Sequence, residues 1–124
     1  MVGINKIVLV GHLGKDPDIR YLADNVSVVS FPLATSENLS VDGQRVEETE
    51  WHNIVMWRSL AEAAFKFLKK GKLIYLEGKI RTRSFDDKQG VQRTITEVLA
   101  ENFTVLGRSS DFSSTENTTY QNAD

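Results

Sequence analysis

Apolar-rich runs alternate with turn residues along most of this chain, which is the pattern of a strand-rich domain. Lys6-Ile7-Val8-Leu9-Val10 opens it, and Gly11, Gly14, Asp16 and Pro17 break the run, so a first strand and a tight turn are predicted. A second strand is predicted from Val26 to Thr35. Pro32 lies inside it without an N–H for the ladder, so an edge position or a bulge is expected there. Residues 37–47 are polar and read as a loop with Asp42-Gly43 at the tip of a hairpin, and strand character returns from Glu48 to Trp57. The period then changes. Leu60, Ala64, Phe67 and Leu68 recur at helical spacing, Ser59-Leu60-Ala61-Glu62 fits a capping box, and Gly71 after Lys69-Lys70 supplies a stop. A fourth strand is predicted from Lys72 to about Phe85, a turn over Asp86 to Gly90, and a fifth strand from Gln92 to Leu106.

Three strands, a helix and two more strands is the element order of an all-β protein with one helix: a five-stranded Greek-key barrel with its helix between strands 3 and 4. That is the OB fold, whose open face takes oligonucleotides or oligosaccharides. One domain is expected over residues 1–108. Residues 109–124, rich in Ser, Thr and Asn, are expected to form a short, mobile, polar and acidic tail.

Side chains of equal parity share one face of a strand. In the third strand Trp51, Asn53, Val55 and Trp57 fall on one side, and His52, Ile54, Met56 and Arg58 on the other. In the fourth, Leu73, Tyr75, Glu77, Lys79, Arg81, Arg83 and Phe85 oppose Ile74, Leu76, Gly78, Ile80 and Thr82, the second set reading as core. A core has no use for Lys79, Arg81 and Arg83, because an unpaired buried charge costs several kcal/mol or more. Taken singly, each tryptophan could be core and each arginine a solvated charge. Two tryptophans on one face and three cations with Phe85 on another are what an unpaired nucleic-acid strand needs, stacking surfaces for bases interleaved with cations for phosphates.

Composition narrows the classes. The net charge is −2, yet residues 1–108 hold all 15 Lys and Arg against 14 acids, and the tail carries only Asp111, Glu116 and Asp124. Residues 69–83 hold six cations, including Lys69, Lys70, Lys79, Arg81 and Arg83, against Glu77 alone. The chain has no cysteine, which excludes a disulfide framework, a thiolate metal site and a cysteine nucleophile. His12 and His52 are the only histidines, and no nucleophile-elbow or phosphate-loop spacing occurs, so neither an enzyme nor a cofactor is expected. The apolar runs are far shorter than a membrane span and no leader pattern opens the chain, so a cytoplasmic location is expected.

Several segments together resemble bacterial single-stranded DNA-binding proteins. They are Asn5 to Gly11 with Leu13-Gly14-Lys15-Asp16-Pro17, Ile19-Arg20-Tyr21, Leu33-Ala34-Thr35-Ser36, Thr49-Glu50-Trp51-His52, Leu60-Ala61-Glu62, Leu68-Lys69-Lys70-Gly71, Tyr75-Leu76-Glu77-Gly78 and Arg81-Thr82-Arg83. The resemblance spans nearly all of residues 3–106. It implies an OB fold, a homotetramer over which single-stranded DNA wraps, location on the nucleoid, and roles in replication, recombination and repair. It places aromatic platforms at Trp51, Trp57 and Phe85, basic contacts at Lys6, Lys69, Lys70, Arg81 and Arg83, a further cation at Arg58, and His52 at a subunit interface. Asn38-Leu39 stands where the family often has another aromatic platform. The acidic Pro-Phe tip by which many members recruit repair and replication enzymes has no counterpart in Tyr120 to Asp124, so that recruitment stays open. Two other readings also stay open: a primosome-type or mobile-element accessory binder of the same fold, with a dimer in place of the tetramer, and a structural OB oligomer that binds no strand.

Overall fold

The computed structural model describes residues 1–107 and 119–121. Its elements are β1 (Ile7–Leu13), β2 (Asp18–Tyr21), a 3₁₀ turn (Ala23–Asn25), β3 (Ser27–Val41), β4 (Gln44–Trp57), α1 (Arg58–Phe67), β5 (Leu73–Asp86), β6 (Gln92–Gly107) and β7 (Thr119–Gln121). The sheet runs β1-β5-β6-β4-β3, and pairing of β1 with β3 at His12↔Ala34 and Leu13↔Leu33 closes it into a five-stranded barrel. This is the OB fold, with α1 between the third and fourth barrel strands.

The core follows strand parity where strands lie in the barrel. Val29, Phe31 and Leu33 of β3, Ile54 and Met56 of β4, and Ile74 and Leu76 of β5 point inward, and Leu60, Ala61 and Ala64 of α1 close over them. Pro32 falls where β3 exchanges β2 for β1 as its neighbour; its carbonyl accepts from the Gly14 amide at 2.9 Å, and its missing N–H costs no ladder bond.

Three expectations are corrected. Residues 37–47 are not a loop, because β3 and β4 run on as a two-stranded arm to a turn at Asp42 (φ 51°) and Gly43 (φ 77°), the two left-handed residues of a tight hairpin. Ile80 and Thr82 are not core: β5 and β6 leave the barrel after Gly78 as a second arm, exposed on both faces along most of its length. That departure begins at a bulge, with Glu77 opposite Asn102 and Gly78 opposite Ala100. A Cβ at Gly78 would run into the Leu99 carbonyl and lie 2.8 Å from the Ala100 Cα, so the crossing requires glycine. The helix ends at Phe67, short of Gly71, as Leu68 turns extended and enters the core; Gly71, at φ 90°, then donates its amide to the Leu13 carbonyl at 2.8 Å. Within the segment expected as a tail, Thr119–Gln121 pairs with β6 and its Tyr120 packs against the core. The rest of that segment lies outside the described residues.

Candidate nucleic-acid interface

A groove of about 670 Å³ lies across β2, β3, β4 and the root of the β5–β6 arm. Trp57, Asn53 and Val55 form part of its wall, with Val28, Ser30 and Pro32 from β3, Lys15 and Asp16 from the first turn, and Arg20 from β2. Arg81 and Arg83 face it from β5. These β3 and β4 residues share the outward parity, which is why one strand supplies the core while its alternate positions line the groove.

Glu97 organises the cationic side. It stands directly across from Arg81 and is only 4% exposed. One of its oxygens, Oε1, accepts from Arg81 Nη2 at 2.8 Å and from Arg83 Nε at 3.0 Å. Burial raises the Glu97 pKa, but the bonds and charges of the two arginines outweigh that and hold it below the ordinary value. The guanidiniums are thereby fixed in the groove, and one of their two positive charges is left unbalanced within the cluster. Sequence parity within β5 did not reveal Glu97, which lies on β6. The signal that finds it is the hairpin register: stepping back from the Asp86↔Gln92 pair puts Glu97 opposite Arg81. Lys15, Arg20, Asn53 and Ser30 were likewise not singled out.

The other expected site residues distribute unevenly. Trp51 lies two positions beyond Asn53 on the same face and is 61% exposed. Its ring packs on Gly14, where a Cβ would lie 2.8 Å from Cη2. Phe85 is exposed farther out on the β5–β6 arm, and Lys79 is exposed but does not line the groove. Lys69 and Lys70 sit in the turn after α1, where the Lys70 amide donates to Asp16 Oδ1 at 2.8 Å, tying that turn to the groove wall. Lys6 is held by Glu77 at 2.7 Å, away from the groove lining. Arg58 follows Trp57 with φ 58°, and its carbonyl accepts from the buried Ser27 hydroxyl at 3.1 Å, which pins this left-handed turn into α1. His52 lies half-buried on the face opposite Trp51, its Nε2 2.9 Å from Thr35 Oγ1.

The β3–β4 arm has the opposite sign. Glu37 and Glu48 face each other across it, with Asp42, Glu47 and Glu50 nearby and Arg45 as its single cation. A polyanion therefore meets favourable charge on the β5 side of the groove and repulsion on this arm.

The model of the single-strand binding protein family matches residues 4–106. The chain belongs to that family. It is 48% identical over 107 residues to a Neisseria meningitidis single-stranded DNA-binding protein, covering 86% of this chain and 62% of that protein's length. A Chlorobaculum tepidum protein, single-stranded DNA-binding protein 1, is 43% identical over 120 residues, covering 95% of this chain and 74% of its own. Among solved structures, a Plasmodium falciparum SSB complex with ssDNA superposes with a TM-score of 0.76 at 26% identity, covering 98% of this chain and 97% of that one. Among the described residues no helix is long and apolar enough to cross a membrane.

Proposed function

We propose that this chain binds single-stranded DNA with little sequence preference and coats it during replication, recombination and repair. The observation that carries this reading is the groove itself, where the Trp57 indole and the Arg81 and Arg83 guanidiniums meet on one open surface. An unpaired strand offers bases to the indole and phosphates to the arginines, whereas a duplex keeps its bases stacked away from such a platform. Trp51 and Phe85 extend the stacking path, and Lys69, Lys70, Lys79 and Arg58 supply phosphate contacts around it. The role needs no bond to be made or broken and no cofactor, so the protein acts without turnover, on the cytoplasmic nucleoid where single strands arise.

Assembly into a homotetramer, or a dimer, belongs to the same proposal. Val8 and Val10 stand about half exposed on the outward face of β1, while Leu9 between them is buried. An outward valine pair on a barrel strand is suited to a second copy. His52, on the face away from the tryptophans, serves the assembly and not the DNA.

Fluorescence anisotropy with labelled oligo-dT and a duplex of equal length tests the reading. The single strand should bind far more tightly than the duplex, and Trp57→Ala should weaken it by about 1–3 kcal/mol. Equal affinity for both ligands, or an unchanged affinity in a folded Trp57→Ala protein, contradicts the assignment.

A further inference from the structure

The barrel leaves one stretch of strand edge uncovered, and β7 sits on it. β6 pairs with β5 along its length, but on its other side it meets β4 only at Ile54↔Val98 and Val55↔Leu99. Beyond that point β7 takes over, antiparallel, with Asn102↔Gln121, Phe103↔Tyr120 and Thr104↔Thr119. The Tyr120 ring fills a slot between the core and the end of α1. Its centroid lies 4.9 Å from that of Phe103, inclined at 28°, and 5.0 Å from that of Phe67, inclined at 24°. The Thr104 and Thr119 hydroxyls meet at 2.6 Å.

We propose that this seat is a peptide-binding site. It takes an extended segment of a partner protein carrying tyrosine or phenylalanine between two strand-compatible residues, and Thr119–Gln121 is the resident occupant that such a segment displaces. Main-chain pairing along an open edge accepts many sequences, while a slot lined by Phe67 and Phe103 selects an aromatic side chain. The resident is held by three strand pairs and one ring. Eleven residues of sequence separate Gly107 from Thr119, against the two to five or so of a tight hairpin, so no tight turn ties β7 to β6. It can therefore leave the seat without disturbing the barrel strands. Neither Phe67, Phe103 nor Tyr120 lines the groove, so the seat acts independently of strand binding.

The test uses full-length protein carrying Tyr120→Ala and a fluorescent peptide of residues 116–124. The peptide should bind the variant, and bind wild type about tenfold or more weakly, because the resident reduces the fraction of open seats. The same peptide with alanine at position 120 should bind neither, and Phe67→Ala added to Tyr120→Ala should abolish capture. A folded Tyr120→Ala protein that ignores the peptide, or that binds both peptides equally, overturns the proposal. If that variant does not fold, excess peptide on wild type should shift the backbone amide resonances of Asn102 to Thr104, and the absence of shifts overturns it instead. Oligo-dT affinity should be the same in Tyr120→Ala and wild type. A change there overturns the independence of the two sites, whereas failure of oligo-dT to bind either protein concerns the proposed strand binding alone.

Discussion

Replacing Glu97 with glutamine should weaken the fold while making strand binding more sensitive to salt. Two arginines converge on one buried carboxylate oxygen, at 2.8 and 3.0 Å. A charged hydrogen bond contributes about 1.5–3 kcal/mol and a neutral one about 0.5–1.5. The difference is about 1 kcal/mol for each contact. Arg81 and Arg83 are 40% and 52% exposed, so solvent screening moderates the loss, leaving about 1–2 kcal/mol in total. For a domain of this size that lowers Tm by about 4–8 °C. The same substitution removes the charge that neutralises one arginine. One more phosphate can then be compensated, and the slope of log K against log salt should steepen by about 0.7. Thermal melts and oligo-dT titrations over a salt series read both effects. A shallower or unchanged slope in a folded Glu97→Gln protein refutes the reasoning, because a merely structural glutamate would not change the charge presented to the strand. The pH dependence has a definite sign. The folded pKa lies below the ordinary 4.5, so the Glu97 contribution is complete above that value and disappears as pH falls through the folded pKa. The stability difference between wild type and Glu97→Gln should therefore shrink below about pH 4.5.

Three further substitutions have defined outcomes. Gly14→Ala should displace the Trp51 ring that packs on it and weaken oligo-dT binding by up to about 1–3 kcal/mol in equilibrium titration, with little change in Tm; unchanged affinity removes Trp51 from the stacking path. Asn5 pairs both ways with the backbone of Ile80, its Nδ2 donating to the Ile80 carbonyl at 2.7 Å and its Oδ1 accepting from the Ile80 amide at 3.0 Å. Asn5→Ala should cost about 1–2 kcal/mol by denaturant titration and speed hydrogen exchange at Ile80, and unaltered exchange contradicts that role. Val10→Lys should shift sedimentation toward smaller species, whereas an unchanged size distribution contradicts the proposed self-association through β1.

Parity and turn chemistry made the barrel legible in the sequence, because a strand with one face in the core repeats every second residue. The same rule failed where a strand leaves the core. Ile80 and Thr82 continue the inward parity of Ile74 and Leu76, but beyond the bulge at Gly78 there is no core for them to enter. The polar stretch 37–47 resembled a loop because a free arm has no buried face and so lacks apolar alternation. Trp57, Arg81 and Arg83 were legible as site candidates through shared parity within each strand. Glu97 was not, because its role depends on pairing between strands, and Tyr120 was hidden in a segment whose composition carries almost no apolar signal.

Intrinsic tryptophan fluorescence during titration with oligo-dT, followed by back-titration with salt, reads stacking and phosphate contact on the groove face in one experiment. Trp51 is exposed and Trp57 lines the groove, so bases that stack there should strongly quench emission, and salt should restore it by replacing the phosphate contacts. Emission that stays constant in folded protein at saturating oligo-dT would contradict the claim that this face binds the strand.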